Sequence, residues 1–226
     1  MSDPQKHGHI IAAGLGLSNP PALAVRSRAS QVEISKISCV RTGVGMTQAI
    51  PAADVFALGL YLTDVSYHEI WNRGRPVIRQ GYSANSMTIV NLTGEWSANI
   101  FSTFEVVAFS LPRSVLDEVA GDAGLKQVGN LSCDPGTIDP VVFQLAASIL
   151  PAFQRSNEAN ALFLEYVVLA LCVHLLERYG IGAEIKLCRG GLTPFQLRRA
   201  KDLIASDLAG NISLADIAGE CGLSRQ

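Results

Sequence analysis

A series of short apolar runs between Gln31 and Leu111 constrains the fold more than any other feature of the chain. Val32–Val40, Val55–Leu62, Val77–Tyr82, Met87–Leu92, Trp96–Phe101 and Phe104–Leu111 are rich in valine, isoleucine and aromatic residues, and clusters of Gly, Asn, Asp and Ser divide them. Such runs suit a pleated, half-buried surface. Their nearly regular spacing, with no useful helical period between them, predicts a β-barrel or sandwich and not parallel strands joined by crossover helices.

The texture changes at Pro112. That proline fits a first helical position, and Val115, Leu116, Val119 and Ala120 then form an apolar face up to Gly121. A second helix starts at Asp139-Pro140, an N-cap followed by a first-turn proline, with Val142, Ala146, Ile149 and Phe153 on one face. Pro151 must end or kink it, because proline lacks the N–H that the carbonyl of Ala147 needs. A third helix runs from a cap at Asn157 to a stop at Gly180. Leu162, Tyr166, Leu169, Val173 and Leu176 recur at steps of four and three, widened by Phe163, Val167 and Ala170. So broad a stripe has to be covered, either by the rest of the chain or by a second copy, and those five residues are the dimerisation candidates.

The 226 residues are 48% hydrophobic and 17% charged, which supports a packed core. Residues 1–30 look loose, and Gly14-Leu15-Gly16 lacks the preceding strand and third glycine of a phosphate loop. A net charge of -2 and a pI near 6.1 do not describe a finished DNA-binding surface. Cys39, Cys133, Cys172, Cys188 and Cys221 lie far apart without a C-x-x-C pair, so neither a zinc site nor a disulfide framework is indicated. They fit small buried thiols in a reducing cytosol. Ile10–Leu17 is too short and Gly-broken for a secretory signal. Ala161–Leu176 carries Glu165 and His174 and falls short of a membrane span of about 20 residues. The expectation is a soluble cytoplasmic protein, with the sequons at Asn91, Asn130 and Asn211 as chance matches.

Residues 192–226 carry the functional signal. Thr193-Pro194-Phe195-Gln196 combines a threonine cap, a first-turn proline and the glutamine of a capping box. Leu197, Ala200, Ile204 and Leu208 form the buried face of that helix, Arg198, Arg199 and Lys201 lie off it, and Gly210 ends it. Ser213 starts the next helix with Asp216 three residues on, and Leu214, Ile217, Ala218 and Cys221 face inward. Ala218 followed by Gly222 suits a helix-turn-helix: the alanine lets two helices approach and the glycine takes a turn conformation that a Cβ resists. Leu223 plugs the corner, and Ser224 caps a recognition helix.

The stretch Ser213-Leu214-Ala215-Asp216-Ile217-Ala218 running into Cys221-Gly222-Leu223-Ser224-Arg225 resembles the first helix-turn-helix of the AraC/XylS family of transcription regulators. Gly190-Gly191-Leu192 through Ala200 is similar to the entry of that module, and Leu111-Pro112-Arg113, Leu116 and Asn160–Gly180 are similar to its sensor half. The resemblance is strong over roughly 35 residues, moderate over about 80 more and weak before residue 100. It implies an α+β protein: a cupin-like β-barrel sensor over 31–111, a helical dimerisation segment over 112–180, a linker over 181–191 and a partial all-α DNA-binding domain over 192–226. The sequence given stops two residues into the recognition helix, and the aromatic that usually follows Ser224 is missing. Ser224, Arg225, Gln226, Arg198 and Arg199 are the residual DNA-contacting candidates, and four basic side chains face four acidic ones across 192–226. These 226 residues alone are therefore expected not to hold a specific operator with useful affinity.

The same resemblance implies a small-molecule effector in the sensor. Tyr61, His68, Trp71, Tyr82, Trp96 and Phe104 are the candidate contacts, although residues of these kinds are more often core or rim packing than ligand contacts. Arg73, Arg75, Arg79 and Glu95 could orient a polar effector or stand in solvent. A cupin-type metalloenzyme is the rival reading. It needs several convergent histidines, whereas His7 and His9 fall in the loose segment, His174 in the long helix, and only His68 within the β region. No G-x-S-x-G turn occurs, so the expectation is a non-enzyme without catalytic residues, metal or cofactor. A third reading is an interaction protein that pairs with an intact copy and blocks it.

Overall fold

The computed structural model describes residues 20–40, 42, 45–125, 127–154, 161–182, 199–204 and 212–222. Every sheet pairing in it is antiparallel. Strands β1 (Ala22–Arg26), β2 (Gln31–Cys39), β3 (Gly45–Met46), β4 (Val55–Tyr61), β5 (Val65–Asn72), β6 (Arg75–Tyr82), β7 (Ser86–Asn91), β8 (Trp96–Ile100) and β9 (Phe104–Pro112) come first. Helix α1 (Arg113–Ala123), strands β10 (Val128–Leu131) and β11 (Thr137–Ile138), and helix α2 (Pro140–Ile149) follow. A 3-10 turn (Leu150–Phe153), helix α3 (Ala161–Tyr179), strand β12 (Gly180–Gly182) and helix α4 (Leu214–Glu220) complete the order, and residues 199–204 are helical.

One sheet has six strands in the order β1-β2-β9-β4-β7-β11, a second has four in the order β3-β8-β5-β6, and β10 and β12 form a third of two. Among the described residues no ladder joins them, so the expected barrel is corrected to an α+β sandwich. Closure needs each edge strand to carry a continuous stagger to a neighbour. The edges β3 and β11 offer two residues each, too few for that.

Alternation along β4 and β9 builds two compartments. Phe56, Leu58, Leu60, Val107, Phe109 and Leu111 belong to the larger core, with Val115, Leu116, Val142, Ile149, Leu171 and Leu175 from the helices. Their neighbours Tyr61, Phe104, Val106 and Ala108 belong to a smaller cluster toward the four-stranded sheet, with Ile37, Val65, Tyr82 and Ile100. This period-two partition follows from the pleat. Arg113 locks the junction: its guanidinium donates to Asp54 (2.8 Å) and to the carbonyls of Val128 (3.2 Å) and Gly129 (3.0 Å), and lies 4.9 Å from the centroid of Phe56.

Several expectations need revision. The loose segment contains β1, whose Leu23 and Val25 alone are buried, and which pairs along β2. Strand β5 went unread because His68 and Glu69 interrupt its apolar run, and shifts at Val65/His68 and Ile70/Trp71 break its alternation. Pro112 is not a first-turn residue; it ends β9 opposite Val55, and α1 runs past Gly121 to close at Gly124 with φ +68°. Ile181 belongs to β12, paired with β10, so the linker cannot begin there. A Cβ on Gly180 would stand 2.3 Å from the carbonyl oxygen of Leu176, which is why the chain turns from helix to strand at a glycine.

Asp139 caps α2 as expected, and Pro151 sits in the 3-10 turn that ends it. The third helix keeps its period but not its phase. It buries Leu164, Val167, Val168, Leu171, Cys172, Leu175 and Leu176. Of the expected stripe Val167 and Leu176 are buried and Val173 half-buried, while Leu162, Phe163, Tyr166, Leu169 and Ala170 are exposed, Tyr166 by 63%. Packing among the described residues therefore leaves Leu162, Phe163, Tyr166 and Leu169 uncovered. In the C-terminal part, Ala200 is buried, but Ile204 is 57% and Leu214 84% exposed, against expectation. Leu214 opens a seven-residue helix, on which inward packing centres on Cys221 just past its end.

Candidate functional site: a cavity between the sheets

The two sheets do not fill the space between them. A cavity of about 160 Å3 remains, walled by β2, β4, β7 and β9 on one side and β5 and β8 on the other. Ala57, Gly59, Ala98 and Ala108 line it, and these small residues on facing strands leave the room. Ile37, Ile70, Val90, Leu92, Ile100 and Val106 make most of the surface apolar.

One corner is polar. Tyr61, at the end of β4, places Oη 3.4 Å from Nε2 of His68 on β5. Thr88 on β7 lines the same cavity and acts on the Tyr61 hydroxyl, yet its buried Oγ1 completes no hydrogen bond of good geometry within the protein. Tyr82 stacks behind Tyr61, with centroids 4.3 Å apart and planes at 12°, and meets His68 at 4.7 Å. Burial pulls the His68 imidazole down to about 4, so it is neutral at pH 7. Burial, with help from Tyr82, pushes the Tyr61 phenol well above its ordinary range.

Of the six expected effector contacts, Tyr61, His68, Trp96 and Phe104 line the cavity. Tyr82 stands one layer behind. Trp71 lies outside, its indole donating to Glu69 at 3.0 Å. Arg73, Arg75, Arg79 and Glu95 are exposed, and Arg79 faces Glu69 at 3.5 Å. The sequence reading missed Thr88 and the small residues. A threonine inside the apolar run Met87–Leu92 was the available signal for the first.

A second polar cluster ties the helices together. Asp139 accepts from the backbone of Val141 (2.8 Å) and Val142 (3.1 Å) through Oδ1. Its Oδ2 lies 2.8 Å from Nε2 of His174 and accepts from the Tyr179 hydroxyl at 2.6 Å. Burial works to raise the Asp139 carboxyl, but the bonds from His174, Tyr179 and Val142 outweigh it and hold the group at about 2. The cluster clamps the end of α3 to the start of α2. Among the described residues no three His, Cys, Asp or Glu side chains gather as metal ligands, and no helix is long and apolar enough to cross a membrane.

In the C-terminal part, Ser213 and Asp216 form the expected capping box: Ser213 Oγ accepts from Asp216 N at 3.2 Å, and Asp216 Oδ2 accepts from Ser213 N at 3.1 Å. Ala218 is half-buried, and Gly222 adopts φ +65° in the turn, a conformation that favours glycine. Arg199 pairs with Glu220 at 2.8 Å and so joins the helical residues 199–204 to α4. Arg198, Leu223, Ser224, Arg225 and Gln226 lie outside the described residues.

No family model and no curated protein matches the chain. Among solved structures it is similar to an apo ToxT variant from Vibrio cholerae strain SCE256, with TM-score 0.43 and 11% identity over 89% of this chain and 73% of that one. It is also similar to ToxT from Vibrio cholerae O395, with TM-score 0.39 and 13% identity over 88% and 72%. A cupin-2 domain protein from Shewanella frigidimarina aligns with TM-score 0.28 and 11% identity over 40% and 78%. At TM-scores below 0.5, what this chain binds has to be argued from its own cavity.

Proposed function

We propose that this chain is a small-molecule-responsive transcription regulator of the AraC type. The intersheet cavity receives the effector, the outer face of α3 pairs two copies, and the region around α4 belongs to the DNA-binding part. The observation that carries the reading is the cavity: a largely apolar space with one convergent polar corner is the form of a binding site. The capping box at Ser213 and the turn at Gly222 support the DNA-binding assignment, because they are the local chemistry that a helix-turn-helix needs. Binding without catalysis is favoured because, among the described residues, the cavity is lined by one histidine, His68, and by no carboxylate or thiol.

Chromatin immunoprecipitation of the protein expressed from its own gene tests the reading. Enrichment at a few discrete promoters that changes with effector supply is expected. Uniform background at all loci would sink the assignment. Pairing is tested separately by sedimentation: a concentration-dependent dimer is expected, and a monomer at all concentrations counts against the α3 interface.

A further inference from the structure

We propose that the ligand of the intersheet cavity is an uncharged, mainly apolar molecule of about one aromatic ring, bearing a single hydrogen-bonding group that docks against the corner formed by Tyr61, His68 and Thr88. This deepens the sensing reading above and rests on it.

Size sets the first limit. A dry cavity of about 150 Å3 lined by aliphatic and aromatic side chains accepts a benzene-sized molecule. The space here, about 160 Å3, matches one ring with a small substituent and is too small to enclose a long acyl chain.

Charge sets the second. Among the described residues no Asp, Glu, Lys or Arg lines the cavity. Arg75 and Arg79 on β6, and Arg73 in the turn before it, are exposed to solvent. An anion entering the cavity would leave water without a countercharge, which is costly unless the group takes up a proton. Among the described residues His68 is the one lining group able to become cationic, and burial keeps it neutral at pH 7.

The corner sets the third. Thr88 Oγ1 and Tyr82 Oη are buried without a completed hydrogen bond, and Tyr61 Oη, which both of them approach, lies 3.4 Å from His68. A ligand hydroxyl, carbonyl or amide reaching Thr88 would satisfy a buried polar atom that a pure hydrocarbon would leave orphaned.

Calorimetric titration of the purified chain at pH 7.5 with benzyl alcohol, toluene and benzoate tests all three limits. Benzyl alcohol should bind best, and benzoate at least about tenfold more weakly. Thr88→Val should abolish the preference for benzyl alcohol over toluene and leave toluene binding in place. Ala108→Leu, which fills the cavity, should remove binding of both while circular dichroism shows a folded chain. Benzoate binding as tightly as benzyl alcohol would overturn the neutral class and leave the sensing reading standing. Unchanged binding in Ala108→Leu places the ligand elsewhere and overturns the proposal. An unchanged preference in Thr88→Val overturns the docking corner. Absence of binding by all three compounds at millimolar concentration overturns the proposal together with the cavity as a sensor.

Discussion

Two buried titratable groups dominate at the scale of single residues, and each predicts a distinct acid limb of stability. The folded-state imidazole of His68 is lowered from 6.5 to about 4. Its contribution is full above about pH 6.5 and is lost as the pH falls through 4, a decrease of about 3 kcal/mol. Asp139 is lowered from 3.8 to about 2, so its contribution of about 2 kcal/mol is full above pH 4 and is lost as the pH falls to 2. Urea unfolding midpoints across pH should show both limbs, with the first absent in His68→Gln and the second reduced in Asp139→Asn. A flat profile between pH 6.5 and 4 in the unaltered chain would show that His68 titrates normally. Asp139→Ala should cost about 2–3 kcal/mol at neutral pH, since it removes the α2 cap and strands His174 and Tyr179. Asn should cost less, because its amide oxygen still caps. The cap itself was plain in the sequence as Asp139-Pro140. Its bonds to His174 and Tyr179 were not, because residues 35 and 40 positions away meet only after α3 folds back.

At the scale of elements, α3 shows how period and phase are separate pieces of information. Its sequence is apolar on nearly every side, so steps of three and four can be drawn along two faces. The chosen face, through Leu162, Tyr166 and Leu169, is the outer one. Glu165 was the overlooked marker: it lies three residues from Leu162 and four from Leu169, and a carboxylate on that stripe belongs to solvent or an interface. Leu169→Glu is therefore expected to shift the monomer–dimer equilibrium toward monomer by at least about tenfold while changing stability by less than about 0.5 kcal/mol. Sedimentation and urea unfolding separate these effects, and a large loss of stability without any change in association would return the stripe to the core. Strand β5 failed in the opposite way. Its aromatic and branched residues were visible, but two register shifts hid the alternation, and with it the strand that presents His68.

On the scale of the whole molecule, the two compartments are unequal. The helices and the six-stranded sheet share the larger core, whereas the four-stranded sheet rests on a small cluster beside a cavity. Amides of β5, β6 and β8 should thus exchange with solvent before those of β2, β4 and β9, and mass spectrometry resolves the order. Ligand at 100 times its dissociation constant should add about 2.7 kcal/mol and slow that first phase. Equal exchange in both sheets would mean that the molecule opens as one unit. That a sandwich would form was legible from the spacing of the apolar runs. The cavity was not, because it arises where small residues from distant strands happen to face each other, and no local pattern records that coincidence.

The alternation along β4 and β9 has a mechanical corollary. Ala57, Gly59 and Ala108 touch whatever occupies the cavity, while Phe56, Leu60 and Phe109 on the same strands press on the core that holds α1, α2 and α3. The six-stranded sheet is thus a diaphragm one backbone thick, with the cavity on one side and the helices on the other. A change in its curvature would displace both faces at once, so under the proposed function occupancy would be felt by the helices across a single wall.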